Sequence, residues 1–162
     1  MAGDERIFVG LGANLGDAAA AVRAAIASLG ALPQTMLVAA SSLYRSTPLD
    51  ADGPNYVNAA AELRTALEPG ALLAQLQRLE QGFGRERPYR HAPRTLDLDL
   101  LIYGQRRIGG HVLTIPHPRL HLRAFVLAPL AELAPAWVLE DGRTAVQALS
   151  ALRDQRIERI AE

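Results

Sequence analysis

The chain contains no cysteine and no lysine. Without cysteine it has no disulfide, no thiolate nucleophile and no thiolate ligand for a metal. Without lysine a Gly-x-x-x-x-Gly-Lys phosphate loop cannot be built, nor can a lysine Schiff base form. All 17 basic residues are arginine. Any phosphate clamp must therefore use guanidinium groups, which grip pairs of oxygens bidentately. An excess of either charge is missing too, because 17 acidic residues balance the arginines. No global basic field directs the chain to nucleic acid. No apolar run approaches the roughly 20 residues of a membrane span. The start, Met1-Ala2-Gly3-Asp4-Glu5-Arg6, is acidic where a signal peptide is basic and then apolar. These absences lead us to expect a cytoplasmic protein with no membrane or nucleic-acid partner. With 162 residues, 49% of them hydrophobic, the chain suits a single domain over 1–162 with its own core.

What is present centres on Arg90-His91-Ala92-Pro93-Arg94-Thr95-Leu96-Asp97-Leu98-Asp99-Leu100-Leu101-Ile102. Leu96, Leu98, Leu100 and Ile102 fall on one parity, Asp97 and Asp99 on the other. Period-two alternation predicts a half-buried strand, with the leucine face on a core. The two carboxylates then stand on the opposite face, their Cα atoms about 6.6 Å apart at roughly 3.3 Å per residue. Like charges that close need compensation, and divalent cations supply it. Mg²⁺ prefers oxygen ligands and commonly shares its shell with substrate phosphates. Two such ions about 3.5–4 Å apart can clamp attacking and leaving oxygens. Two ordinary acids on a solvated face give the same pattern. The upstream run Arg85, Arg87, Arg90 and Arg94 favours the polyphosphate reading, because cations beside a metal-holding acid pair suit such a ligand.

Elsewhere the order of elements is read from periodicity and turn chemistry. Arg6 to Gly12 predicts a strand, and Asp17 is the candidate N-cap of a helix whose stripe is Val22, Ala25, Ile26 and Leu29. Thr35 to Arg45 predicts a second strand, Ser46 to Asn55 a loop, and Tyr56 to Thr65 a third strand. Tyr56, Asn58, Ala60 and Glu62 share one face of that third strand. A second helix starts near Pro69, carries the stripe Leu72, Leu73, Leu76 and Leu79, and ends at Gly82 and Gly84. Gln77 and Glu80 lie three apart beside that stripe. The Asp-x-Asp strand follows. Further on, 107–115 suggests a hairpin turning at Gly109-Gly110, 125–133 a short helix, and 146–152 a last helix. The order β-α-β-β-α-β predicts an α+β, ferredoxin-like arrangement: an antiparallel sheet with helices on one face. The other face is then free for a site, with both aspartates on it.

This fold hosts many functions, and each makes its own demand on the open face. An RNA-binding module calls for a basic or aromatic sheet surface, whereas the expected open face carries two aspartates. Another two-metal nucleotidyl transferase fits the acids, but Tyr56, Asn58 and Phe125 describe a pocket for a second, planar substrate. His111, His117 and His121 do not suggest zinc, because Pro118 breaks the helical register and no cysteine is available.

Taken together, the spaced motifs resemble the 6-hydroxymethyl-7,8-dihydropterin pyrophosphokinase family. The residues that carry the likeness are Arg90-x-Ala92-Pro93-Arg94-x-x-Asp97-Leu98-Asp99-Leu100-Leu101. Gly12-x-Asn14-Leu15, Tyr44-Arg45-x-x-Pro48-Leu49, Tyr56-x-Asn58-Ala59, Pro116-His117 and Arg123-x-Phe125 add to it. The resemblance implies transfer of pyrophosphate from ATP to the pterin hydroxymethyl group, with release of AMP, in folate biosynthesis. It implies that Asp97 and Asp99 hold two Mg²⁺ ions. Arg85, Arg94 and Arg123 would neutralise phosphate charge, Arg85 and Arg94 at the reacting group. Gln77, Glu80, Leu100 and His117 would contact ATP. Tyr56 and Phe125 would sandwich the pterin, with Asn58 and groups near Ser46, Thr47 and Leu49 reading its polar edge. A monomer is expected. Three positions depart from the family pattern: His91 replaces a loop tryptophan, Pro118 a tyrosine, and Val112 an arginine.

Overall fold

The structure, a computed structural model, describes residues 5–14, 16–46, 55–83 and 96–160. Strand β1 (Ile7–Ala13) leads into helix α1 (Ala18–Leu29), followed by β2 (Thr35–Ala40), β3 (Tyr44–Ser46) and β4 (Tyr56–Thr65). Helix α2 (Pro69–Phe83) and β5 (Asp97–Tyr103) complete the predicted βαββαβ pattern with its second strand divided into β2 and β3. A 3-10 turn at Leu120–Leu122, α3 (Ala124–Leu133), α4 (Ala145–Ser150) and β6 (Ile157–Arg159) follow. The sheet runs β5-β1-β4-β3-β6, with β2 also on β4, and its strand pairs are antiparallel.

α1 starts where the sequence places its cap, with the Asp17 carboxylate accepting the Ala20 N–H at 3.0 Å. Val22, Ala25 and Leu29 of α1 and Leu72 and Leu76 of α2 pack against Val9, Leu11, Ala61, Leu63, Leu98 and Leu100. Each fully buried leucine here contributes about 1.5–3 kcal/mol. This core fixes which parity of β1, β4 and β5 faces away from α1 and α2.

The structure corrects four sequence expectations. Ile102 does not share the face of Leu96, Leu98 and Leu100. The β1–β5 register shifts, so Val9 opposes Leu100 but Phe8 opposes Ile102. Leu101 is the extra residue of a β-bulge, and Ile102 joins Phe8 on the far face. Second, Thr35 to Arg45 is two strands rather than one. The Ser41 hydroxyl takes the Ala60 N–H at 2.9 Å in place of a ladder carbonyl. The Ser42 N–H and hydroxyl turn to Glu132 of α3. Third, the far face is not left entirely bare. Val126, Leu127 and Leu130 of α3, with Ala145 and Ala148 of α4, build a second core over Phe8, Leu101 and Ile102. Fourth, the 107–115 hairpin reduces to one antiparallel bridge, Ile108 to Ile115. The short strand β6, which pairs with β3, has no counterpart in the sequence reading.

Candidate active site

The second core covers one end of the far face, and the candidate site occupies the other. Two rows of residues cross the strands there. Asp97 of β5 opposes Gly12 of β1, which opposes Asn58 of β4, which opposes Tyr44 of β3. One step along, Asp99 opposes Gly10, which opposes Ala60. Both aspartates are exposed. With neighbouring strands about 4.8 Å apart, Asp97 and Asn58 lie roughly 10 Å apart across β1. The β1 residue between them is Gly12, so β1 places no side chain between acid and amide; Gly10, in the Asp99 row, lies under the Leu101 side chain. Each glycine admits a neighbour: a Cβ at Gly12 would lie 3.1 Å from Asn58 Nδ2, and one at Gly10 would lie 3.3 Å from Leu101 Cδ1.

On the β3–β4 side, Asn58 and Ser46 are buried, at 5% exposure each. The Ser46 hydroxyl donates to Asn58 Oδ1 at 2.6 Å. That bond orients the amide so that Nδ2 faces the glycine floor as a donor. Tyr56 is half-buried and pairs in register with Ser46. Thr47 and Leu49, expected beside them, lie outside the described residues. So do Arg85 and Arg94.

On the other side, β5 is an edge strand among the described residues. Its outward backbone groups meet α2, where Glu80 Oε2 accepts the Leu98 N–H at 2.7 Å. Gln77 is exposed one turn earlier on the same helix. Leu100 is only 3% exposed, its side chain in the core under α1 and α2. Any contact it makes with a nucleotide must come from its main chain. Leu100 N–H points the same way as that of Leu98, two residues before it.

His117 reaches this region because its N–H donates to the Leu101 carbonyl at 2.9 Å. Burial pushes its imidazole below the ordinary histidine value; the Asp99 carboxylate opposes this, and Arg123 and Arg119 reinforce it. His117 Nδ1 accepts the Arg119 N–H at 3.2 Å, which assigns the proton of the neutral ring to Nε2. The residue therefore offers a hydrogen-bond donor rather than a full charge. Arg123 stands at the N-cap position of α3, and its guanidinium lies 5.5 Å over the Phe125 ring. Since α3 packs on β4 and β3, Arg123 and Phe125 belong to the same face as Tyr56 and Asn58.

Sequence reasoning missed the parts that hold α3 down. Glu132 accepts the Tyr44 hydroxyl at 2.7 Å and the Ser42 N–H at 2.9 Å. Burial and this bond push the Tyr44 phenol up to about 12. No local signal links residues 88 apart in sequence. A separate cavity of about 840 Å³ is lined by stretches 104–107, 116–118 and 133–141; among the described site residues it reaches only His117.

The donor set fits Mg²⁺. Among the described residues no cluster of three or more His, Cys, Asp or Glu side chains could enclose a metal. An acid pair on an open strand face leaves most of an octahedral shell to phosphate and water, which suits Mg²⁺ bound with a polyphosphate. No helix among the described residues is long and apolar enough to cross a membrane.

The sequence matches the family model for 7,8-dihydro-6-hydroxymethylpterin-pyrophosphokinase (HPPK) over residues 8–135. It is 45% identical over 157 residues to the 2-amino-4-hydroxy-6-hydroxymethyldihydropteridine pyrophosphokinase of Pseudomonas aeruginosa, covering 96% of this chain and 97% of the relative. It is 41% identical over 151 residues to the Haemophilus influenzae enzyme of the same name, covering 93% and 94%. Two solved structures share the fold. One is an HPPK-DHPS in complex with substrates, at TM-score 0.75 and 10% identity, covering 94% of this chain and 44% of that one. The other is wild-type Plasmodium falciparum HPPK-DHPS, at TM-score 0.69 and 13% identity, covering 91% and 41%. The motifs of β1, β4 and β5 thus meet on one sheet face in a chain that belongs to the 7,8-dihydro-6-hydroxymethylpterin-pyrophosphokinase family.

Proposed function

We infer that the glycine-floored row from Asp97 to Asn58 is where this pyrophosphokinase transfers pyrophosphate from ATP to 6-hydroxymethyl-7,8-dihydropterin. The single observation that carries the reading is that row itself. An exposed acid pair lies at one end, an oriented amide at the other, and the β1 residue between Asp97 and Asn58 is Gly12, which contributes no side chain. A polyphosphate fits the acid end and a flat heterocycle the amide end.

In the transfer the pterin hydroxymethyl oxygen attacks the β-phosphorus of ATP. The bond from that phosphorus to the α–β bridging oxygen breaks, AMP leaves with that oxygen, and the hydroxyl gives up its proton. Asp97 and Asp99 would hold two Mg²⁺ ions, which would supply Lewis-acid compensation of phosphate charge. Arg85, Arg94 and Arg123 supply the remaining positive charge. Because the chain has no lysine, this clamp is made of guanidinium groups throughout. His117 donates from Nε2 to the nucleotide, while Gln77, Glu80 and the Leu100 main chain border it along the β5 edge. Tyr56 and Phe125 hold the pterin ring, and Asn58 reads its edge with Ser46, Thr47 and Leu49. The chain acts as one domain over 1–162, as a cytoplasmic monomer.

The test is a Mg²⁺ titration of Asp97→Asn and Asp99→Asn. Each variant should lose most of kcat at every Mg²⁺ concentration while keeping its thermal midpoint, since removing one of two adjacent like charges relieves repulsion. Near-native kcat at saturating Mg²⁺ in either variant would contradict the metal role.

A further inference from the structure

Gln155 lies beyond residue 135, where the family match ends. Its side-chain amide is engaged at both ends. The Ala124 N–H donates to Oε1 at 2.8 Å, and Nε2 donates to the Leu122 carbonyl at 2.8 Å. Those two backbone groups flank Arg123. A side-chain amide carries the donor and acceptor pattern of a peptide unit, so Gln155 adds one rung of an antiparallel ladder opposite Arg123.

This hook sits where local structure supplies least. Arg123 has extended backbone (φ −126°, ψ 112°) and is the N-cap of α3, yet its side chain makes no capping bond. The Ala124 N–H is one of the amides that a helix start leaves without an internal partner, and Gln155 takes it. Leu120 and Ala124 are pinned by burial at 4% and 2% exposure, but Leu122 between them is 52% exposed. The Arg123 carbonyl is held by the Val126 and Leu127 N–H groups at 3.1 and 3.0 Å, so the Leu122 carbonyl and the Ala124 N–H are the groups at this helix start that Gln155 holds. Two residues after Gln155 the chain enters β6, where Ile157 pairs with Ser46 and Arg159 with Tyr44. One short segment thus touches the start of α3 and the strand that orients Asn58.

We propose that Gln155 is a positioning residue for the pyrophosphate transfer, holding the peptide groups on either side of Arg123 so that its guanidinium keeps its place over the sheet. This rests on the reading of Arg123 as a phosphate contact. Gln155 touches no substrate; it acts through Arg123. The 2.8 Å bonds set the backbone, the backbone sets where the guanidinium starts, and a clamp displaced by about 1 Å can cost on the order of 10²-fold in rate.

The experiment compares Gln155→Leu, Gln155→Glu, Arg123→Ala and the double variant Gln155→Leu/Arg123→Ala by steady-state kinetics, with circular dichroism and thermal melting on each. Gln155→Leu removes both bonds at similar volume and should lower kcat by roughly 10–100-fold. Gln155→Glu keeps the acceptor for Ala124 N–H and should lose less. In the Arg123→Ala background, Gln155→Leu should change kcat by less than about threefold, because its effect runs through the missing side chain. A folded Gln155→Leu with near-native kcat overturns the proposal, as does an equal loss in both backgrounds. So does a lowered thermal midpoint with unchanged kinetics. Should Gln155→Leu fail to fold, Gln155→Glu carries the test, and native kcat in that variant overturns the proposal. Native ATP kinetics in Arg123→Ala would instead overturn the phosphate reading of Arg123, a result visible before Gln155 is altered.

Discussion

A single methyl group at Gly12 tests the floor of the site. Its Cβ would lie 3.1 Å from Asn58 Nδ2, well inside ordinary contact, so the amide must move by a few tenths of an ångström. It has little freedom to do so. Asn58 is 5% exposed, and its Oδ1 is tied to the Ser46 hydroxyl at 2.6 Å. Gly12→Ala must therefore stretch that bond or turn Nδ2 away from the floor. Leaving one buried polar partner unsatisfied costs about 1–3 kcal/mol, and 1.4 kcal/mol is about tenfold in affinity. Pterin affinity should weaken by roughly 5- to 150-fold, while ATP affinity changes far less. Gly10→Ala is the control. Its Cβ would meet Leu101 Cδ1 at 3.3 Å, a side chain of the second core and not of the Asn58 pair, so any cost should fall on stability and its effect on pterin should be small. Calorimetric titration of each variant with the pterin and with a non-hydrolysable ATP analogue separates the cases. Unchanged pterin affinity in Gly12→Ala, or a larger loss in Gly10→Ala, would refute the reasoning.

Two further outcomes follow from the same face. Glu62 is 5% exposed and accepts from Arg6 at 2.9 and 3.0 Å and from Arg64 at 2.8 Å; the Arg6 bond chiefly, against the opposing push of burial, holds its carboxyl below the ordinary value of 4.5. Because the folded value lies below the unfolded one, its contribution is complete above about pH 4.5 and is lost as pH falls through the folded value. Glu62→Gln should cost about 1–3 kcal/mol at pH 7, the upper range being trimmed because the Arg6 side chain is 40% exposed. Urea unfolding should show that gap closing in acid, and a gap independent of pH would refute the pairing. Phe125→Ala and Tyr56→Ala should each weaken pterin binding by about 1–3 kcal/mol, taking aromatic stacking on a base as the guide. Equal losses for ATP in the same titrations would mean that these rings support the fold.

The aspartate pair was legible because Leu96 to Asp99 alternates cleanly and one parity is charged. The register was legible where polar residues mark a face: Asn58 and Glu62 lie opposite Val57 and Leu63, as their spacing requires. Alternation falls silent at Leu100-Leu101-Ile102, where three apolar residues in a row conceal which one is extra, so the bulge could not be read. The second layer was hidden for a related reason. Ala124 to Ala131 of α3 is buried all round except at Phe125, and a helix apolar on every side gives no stripe to say which face it covers. β6 has three residues, too few for a period. The contacts that join distant elements, Glu132 with Tyr44 and Gln155 with the Arg123 peptide, arise only when the sheet brings them together.

The reaction is defined by which group moves. Incubating the chain with ATP, Mg²⁺ and 6-hydroxymethyl-7,8-dihydropterin, and following nucleotide and pterin by phosphorus NMR, measures it directly. The account predicts AMP together with a pterin carrying two linked phosphoryl groups, formed only when all three components are present. ADP with a singly phosphorylated pterin, or AMP released with free pyrophosphate and unaltered pterin, would contradict it.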